Sequence, residues 1–378
     1  MFKNRGFLVK FSFLLVMSIL IGATALGCMG EVARGWSGGA VVGDTLFVGT
    51  MNGELLAVNT DNGSRLWTIP LEPAKTGGGC MAATERLVIY GTPAIGEEWI
   101  YVGGYNGKIY AIDSDKGTIK PNYAAESQFG RIVGRPLVAL GNIYIGTADG
   151  KLYALDAEDG SKKWVFPTGD KIWSTPAIMG NTLFIGSFDK KLYALDALSG
   201  GKNWEFETNG TIAAEPLVYD NTVYIGSFDR YLYAVDATSG SLRWKFLAES
   251  WFWAQPVAYN DVIYAPSLDG RVYALEAQSG DKVAEVDLGS PVSSSPVLVG
   301  DLVIVATQDG QVYALDTVSN EKRWRVDIKE LANRKKLIIY APLTAKEETI
   351  FIHTQGYEAL YALNAETGTI LWSFPLSK

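Results

Sequence analysis

Histidine and cysteine are nearly missing from this chain: one His and two Cys occur in 378 residues. That scarcity leaves no cluster of soft ligands for a transition metal, no Cys-x-x-Cys pair and little room for nucleophilic catalysis. Cys28 and Cys80 are not adjacent, and if Cys28 is modified Cys80 has no partner for an intramolecular disulfide. Cys80 closes a glycine-rich stretch that begins at Thr76 and is read as an incidental thiol. His353 falls in the strand-like run Thr349 to Thr354 and is read as a packed or rim residue rather than a base. Calcium chemistry has no footing either. Asp113-Ser114-Asp115-Lys116-Gly117 opens like a calcium loop but lacks the distant bidentate Glu, so it is a turn. Positive charge is short as well, with 33 Lys and Arg against 41 Asp and Glu and a net charge of −8, which speaks against a nucleic-acid partner. Phosphate-binding glycine loops and amphipathic helices are absent.

What the chain has in abundance is turn and strand chemistry. Residues 143 to 164, IYIGTADGKLYALDAEDGSKKW, contain two runs of period two joined by Asp149-Gly150, a hairpin signal, and then a second turn leading to Trp164. Arg135 to Ala139 supplies a strand before the hairpin, so the unit has four. Copies of its Tyr-Ala-Leu-Asp core centre on Ala57, Ala111, Ala154, Ala194, Ala234, Ala274, Ala314 and Ala362, at spacings of 54, 43, 40, 40, 40, 40 and 48. Eight repeats of about 40 residues, with connections too short for a crossover helix, predict an all-β fold: an eight-bladed β-propeller of four-stranded antiparallel blades over residues 36–378. Trp stands eight residues after the hairpin-end residue at Trp67, Trp164, Trp204, Trp244, Trp324 and Trp372, where it can lie across the turn Gly of a neighbouring blade. Pro121 and Ala284 break that pattern.

The run Ala154 to Trp164 resembles the tryptophan-docking motif of the pyrroloquinoline-quinone-type propellers, the fold of quinoprotein dehydrogenases. By size and by its start, the chain is similar within that group to the BamB lipoproteins of the outer-membrane β-barrel assembly machine. The resemblance implies a protein-interaction scaffold in the bacterial envelope. Enzymes of the group carry adjacent cysteines, a calcium site and long insertions. Their lack here predicts a non-catalytic protein with no cofactor, neither pyrroloquinoline quinone nor calcium.

Lys3, Arg5 and Lys10 precede an apolar run of 16 residues, 11–26, which predicts a signal peptide over 1–27. Ala25-Leu26-Gly27-Cys28 resembles a lipobox, so Cys28 is the expected lipidation site, with residues 28–35 as tether; a signal anchor or plain secretion are the alternatives. A membrane-anchored, extracytoplasmic, monomeric propeller follows as the expectation. Trp36-Ser37-Gly38-Gly39 aligns with Trp173-Ser174-Thr175-Pro176, so blade 1 begins in phase, and Trp372 ends blade 8 in phase; strand exchange between the ends is not expected. In such a ring the residues before each inner-strand Pro, chiefly Arg135, Thr175, Glu215, Gln255 and Ser295, border the channel mouth. On the same loop-rich face the aromatic connection Trp251, Phe252, Trp253 is the candidate for a protein partner. A small ligand at the channel mouth is the second reading.

Overall fold

The computed structural model describes residues 35–72, 87–121, 123, 129–333 and 337–376. The leader, Cys28, the tether to residue 34 and Cys80 lie outside them. Eight antiparallel sheets follow one another along the chain and close into a propeller. Blade 3 shows the pattern: Leu137–Ala139, Asn142–Gly146, Lys151–Asp156 and Lys162–Pro167, paired in chain order. The first strands of successive blades touch one another and surround the axis. Middle strands are sandwiched between neighbouring blades, which is why Asn142–Gly146 is buried throughout while the outer strand Lys162–Pro167 alternates between exposed and half-buried. Among the described residues helix is confined to α1, Ile328–Leu331, capped where Asp327 Oδ1 accepts from Glu330 N at 3.0 Å. No helix there is long and apolar enough to cross a membrane.

Seven sheets have four strands and blade 2 has three, Ala94–Ile95, Trp99–Gly103 and Ile109–Asp113. Its outer strand is reduced, among the described residues, to a bridge between Ile112 and Ile119. The cause is legible. In blade 3 the ladder runs on to Ala154 opposite Trp164, whereas the matching place in blade 2 holds Pro121, which has no N–H to give.

Adjacent blades meet through apolar clusters, such as Phe184, Leu192 and Ala194 of blade 4 with Val223, Ile225 and Tyr233 of blade 5. Each fully buried Leu, Ile or Phe contributes roughly 1.5–3 kcal/mol. At the rim the docking expectation holds in six seats. Trp204 of blade 4 lies against Gly240 of blade 5, where a Cβ would come within 2.6 Å of the indole, and Gly240 has φ +72. Only glycine meets both demands. Trp67, Trp164, Trp244, Trp324 and Trp372 sit in the same way on Gly117, Gly200, Gly280, Gly368 and Gly63. Sequence did not show that the indole N–H also crosses the gap: Trp164, Trp204 and Trp244 donate to the carbonyls of Ala197, Ala237 and Ala277 at 3.0, 3.2 and 2.9 Å. Where Ala284 replaces the Trp, the seat opposite holds Asn320 at φ +56 in place of Gly. Where Pro121 replaces it, Lys120 reaches over Trp99 to donate to Glu158 O at 2.6 Å, and Tyr123 stands beside it.

Both terminal blades are complete, 39–70 and 344–375, so the ring closes without strand exchange. Side chains make the seam. Trp372 docks on Gly63 and donates to Thr60 O at 2.8 Å, and Lys346 pairs with Asp44 at 2.5 Å. The Glu358 carboxylate accepts from Met51 N at 2.7 Å, and His353 Nδ1 is 2.7 Å from Ser37 O, which places the lone histidine in the buried seam as a packed residue.

Candidate functional site at the channel mouth

Three segments meet at one face of each blade: the hairpin between strands two and three, the connection arriving from the preceding blade, and the start of the first strand. In blades 4 to 6 a turn aspartate pins them together. Asp189 Oδ2 accepts from Gly169 N at 2.7 Å and from the Tyr193 hydroxyl at 2.6 Å; Asp229 and Asp269 repeat this with Asn209 and Tyr233, and with Glu249 and Tyr273. Burial first, then the nearby carboxylate, raises the Tyr193 hydroxyl, so it stays a neutral donor. These acidic turns are therefore fasteners, and the loops they hold form a fixed rim.

Inside that rim a cavity of about 390 Å³ opens into the channel. Its outer tier comes from the residues entering the first strands: Trp36, Tyr90, Val133, Trp173, Ala213, Trp253 and Ser293, with Tyr340 from the irregular last connection. Trp36 packs edge-on against Tyr90 with ring centroids 4.5 Å apart, and Trp173 against Phe188 at 4.6 Å. Burial pushes the Tyr90 hydroxyl up to about 12, so this wall is uncharged at neutral pH. The inner tier divides in two. Blades 3 to 6 supply Arg135, Thr175, Glu215 and Gln255, whereas blades 7, 8 and 2 supply Ser295, Pro342 and Thr92.

Arg135 and Glu215 span the intervening blade and meet, with Nη2 to Oε1 at 2.7 Å. Thr175 Oγ1 accepts from Arg135 N at 3.0 Å, Ser295 Oγ from Gln255 N at 3.2 Å, and Gln255 Nε2 donates to Pro216 O at 3.2 Å. The structure thus brings all five channel-mouth residues into one network. Desolvation raises the pKa of the Glu215 carboxyl, opposed by the Arg135 charge and by hydrogen bonds from Arg135, Thr175 and Gln255. Glu215 keeps 21% of its side chain exposed and Arg135 40%, so the pair is accessible from the cavity.

The aromatic connection is split by the alternation of extended backbone. Trp251 and Trp253 both stack on Phe228, at 5.0 Å and 10° and at 5.4 Å and 22°, and all three are part-exposed. Phe252 corrects the expectation for this face: it is 1% exposed and turns into the core against Tyr273, with its Cβ 2.4 Å from where a Cβ on Gly226 would be. The 40-residue spacing carried that signal, since Phe252 occupies the place of Ile172, Ile212 and Val292. The hairpin aromatics Phe188 and Phe228, also 40 apart and with ring centroids 6.3 Å from each other, carry the same periodic signal and join this cluster without having been among the sequence candidates.

A quinone cofactor with its calcium is a poor match for this mouth. Pyrroloquinoline quinone carries three carboxylates, and the guanidinium here is already neutralised by Glu215; among the described residues no group of His, Cys, Asp and Glu is arranged to hold a metal ion.

Comparison with known proteins bears on the whole ring. A family model described as outer membrane protein assembly factor BamB matches residues 83–172, 166–285 and 268–378. The crystal structure of BamB from Moraxella catarrhalis superposes with a TM-score of 0.67 at 20% identity, covering 92% of this chain and 96% of that one. A computationally designed protein, Ika8, superposes at 0.70 and 13% identity over 91% and 96%. At such identities these structures show a shared fold. No curated protein sequence matches.

Proposed function

The chain belongs to the family of the outer membrane protein assembly factor BamB, and from that premise we propose that it is a non-catalytic scaffold, tethered to the membrane outside the cytoplasm, that holds an envelope protein on its loop-rich face. The family membership carries this reading. What supports it in the molecule is a rim made rigid by the turn aspartates, on which the Phe228, Trp251 and Trp253 rings stand part-exposed in a stack. Large flat side chains held in place lose little entropy on binding, which suits them to anchor a partner.

Tethering rests on Cys28. Seven residues separate it from Trp36, and fully extended they reach at most roughly 25 Å, at 3.3–3.6 Å each, which keeps the propeller beside the bilayer. The test is chemical crosslinking in native membranes, comparing wild type with Trp251→Ala. One protein species crosslinked to wild type and lost from the variant is the expected result. Equal capture by both would place the partner elsewhere and overturn the assignment of this face.

A further inference from the structure

We propose that the cavity at the channel mouth is a binding site for a neutral saccharide of one or two pyranose rings. The cavity sits inside the rim: Trp253 belongs to both, stacking on Phe228 and lining the mouth, whereas Trp251 is not part of the cavity wall, so the partner face and this site are probed by different variants.

Size is the first observation. About 390 Å³ falls at the lower end of the roughly 300–1,000 Å³ typical of small-molecule sites. Charge is the second. The mouth's one guanidinium and one carboxylate, Arg135 and Glu215, are joined at 2.7 Å, so a charged ligand gains no net field and must compete with the pair. A ring of hydroxyls need not compete, because each hydroxyl both donates and accepts: it can accept from the free N–H groups of Arg135 and donate to the carboxylate oxygens of Glu215. The third observation is a pair of wall groups without partners. Ser293 is 8% exposed and its hydroxyl has no hydrogen bond, and the Trp173 indole N–H, buried in the same wall, has none either. Both atoms are closed to solvent, so the wall holds unused hydrogen-bonding capacity that a bound polyol reaches only by displacing the side chains around it.

Shape completes the match. Indoles of Trp36, Trp173 and Trp253 stand around the mouth, and the C–H face of a pyranose packs against an aromatic face while its equatorial hydroxyls reach sideways to the polar tier. Arg135, Glu215 and Gln255 on one side of the inner tier are answered by Ser295, Thr92 and Thr344 beside Pro342 and Leu343 on the other, so hydroxyls find polar groups from both sides.

The experiment uses the full chain with maltose and N,N′-diacetylchitobiose as probes, read by saturation-transfer NMR and by tryptophan fluorescence, with pyrroloquinoline quinone and a zwitterionic dipeptide as charged comparators. Saturable binding of at least one disaccharide in the millimolar range or tighter is expected. Trp253→Ala should weaken it by about tenfold. Trp173→Phe, which trims the indole from the cavity wall, should also weaken it. The proposal is overturned if neither disaccharide saturates at tens of millimolar, if both variants bind as wild type does, or if a charged comparator binds more tightly than either sugar.

Discussion

The seat between blades 6 and 7 offers a direct test of how the ring is fastened. Ala284 and Asn320 stand where every intact seat has Trp and Gly, and Ala284 pairs with Ala274 as Trp204 pairs with Ala194. Restoring the indole alone should fail. In the six intact seats a Cβ on the glycine would lie 2.5–2.8 Å from the nearest indole atom, closer than two carbons can approach, so Ala284→Trp meets the Asn320 Cβ and costs about 1–3 kcal/mol in overpacking, which cancels its gain. Asn320→Gly alone relieves a residue at φ +56 with a buried, unpartnered Oδ1, worth about 1 kcal/mol or less. Together the two changes rebuild the seat. A Trp buries roughly 150–250 Å², of which about half counts for a ring left part-exposed, so at about 25 cal/mol/Å² and after ordering the side chain the double variant should gain about 1–3 kcal/mol. A double-mutant cycle in urea should therefore give a coupling of about 1–3 kcal/mol, the overpacking that Asn320→Gly removes. Additivity within about 0.5 kcal/mol would refute the idea that glycine is there for the indole.

Trp204→Ala should destabilise the protein by about 3 kcal/mol in the same assay, since it strips the indole from Gly240 and leaves Ala237 O without its donor; a loss under about 1 kcal/mol would contradict the docking. Hydrogen bonds hold the hairpin-end carboxyl groups below the usual aspartate value of 3.8, Asp236 most strongly, with the Arg243 guanidinium as first cause. A depressed carboxyl stabilises above its unfolded pKa and loses that contribution as pH falls, so melting temperature should drop below about pH 4, and Asp236→Asn should flatten part of that fall. Cys28→Ser should move the protein from the membrane to the soluble fraction with its melting temperature unchanged; retention in the carbonate-washed pellet would instead indicate a signal anchor. Reconstitution with pyrroloquinoline quinone and calcium should yield no dye-linked oxidation of alcohols or sugars, and measurable turnover would displace the scaffold reading.

Blade number, the docking tryptophans and the complete terminal blades were all readable from spacing, because each repeat uses the same residue at the same depth. The charged channel-mouth pair was readable for the same reason: Arg135, Thr175 and Glu215 fall in one register at spacings of 40. Reading runs out where contacts cross between repeats. Nothing local in Asn320 says that it answers Ala284, and nothing in Ser37, Met51 and His353 says that they meet across the seam. Phe252 was misplaced because three consecutive aromatics look alike as composition, and only the pleat decides that two face the rim and one faces the core. Blade 2 departs from the pattern at Pro121, and its effect on pairing, the loss of the ladder step that the other blades make there, is not carried by the repeat spacing.

The seam has a consequence for how this ring comes into being. Its contacts join residues more than 300 apart in sequence, from Thr60 with Trp372 to Ser37 with His353. A shared strand would let the first blade wait half-built for its last segment; here both end blades are finished sheets, each with one apolar flank that only the other can cover. While the chain is being made, Leu46, Val48 and Leu56 of blade 1 remain bare until Phe351, Leu360 and Trp372 of blade 8 have emerged. Loop-closure entropy is then met in one late step between two preformed surfaces. A chain stopped one blade short would carry two sticky ends of matching shape, and the nearest remedy for such an arc is another arc: truncation should give head-to-tail oligomers where the whole chain gives a closed disc.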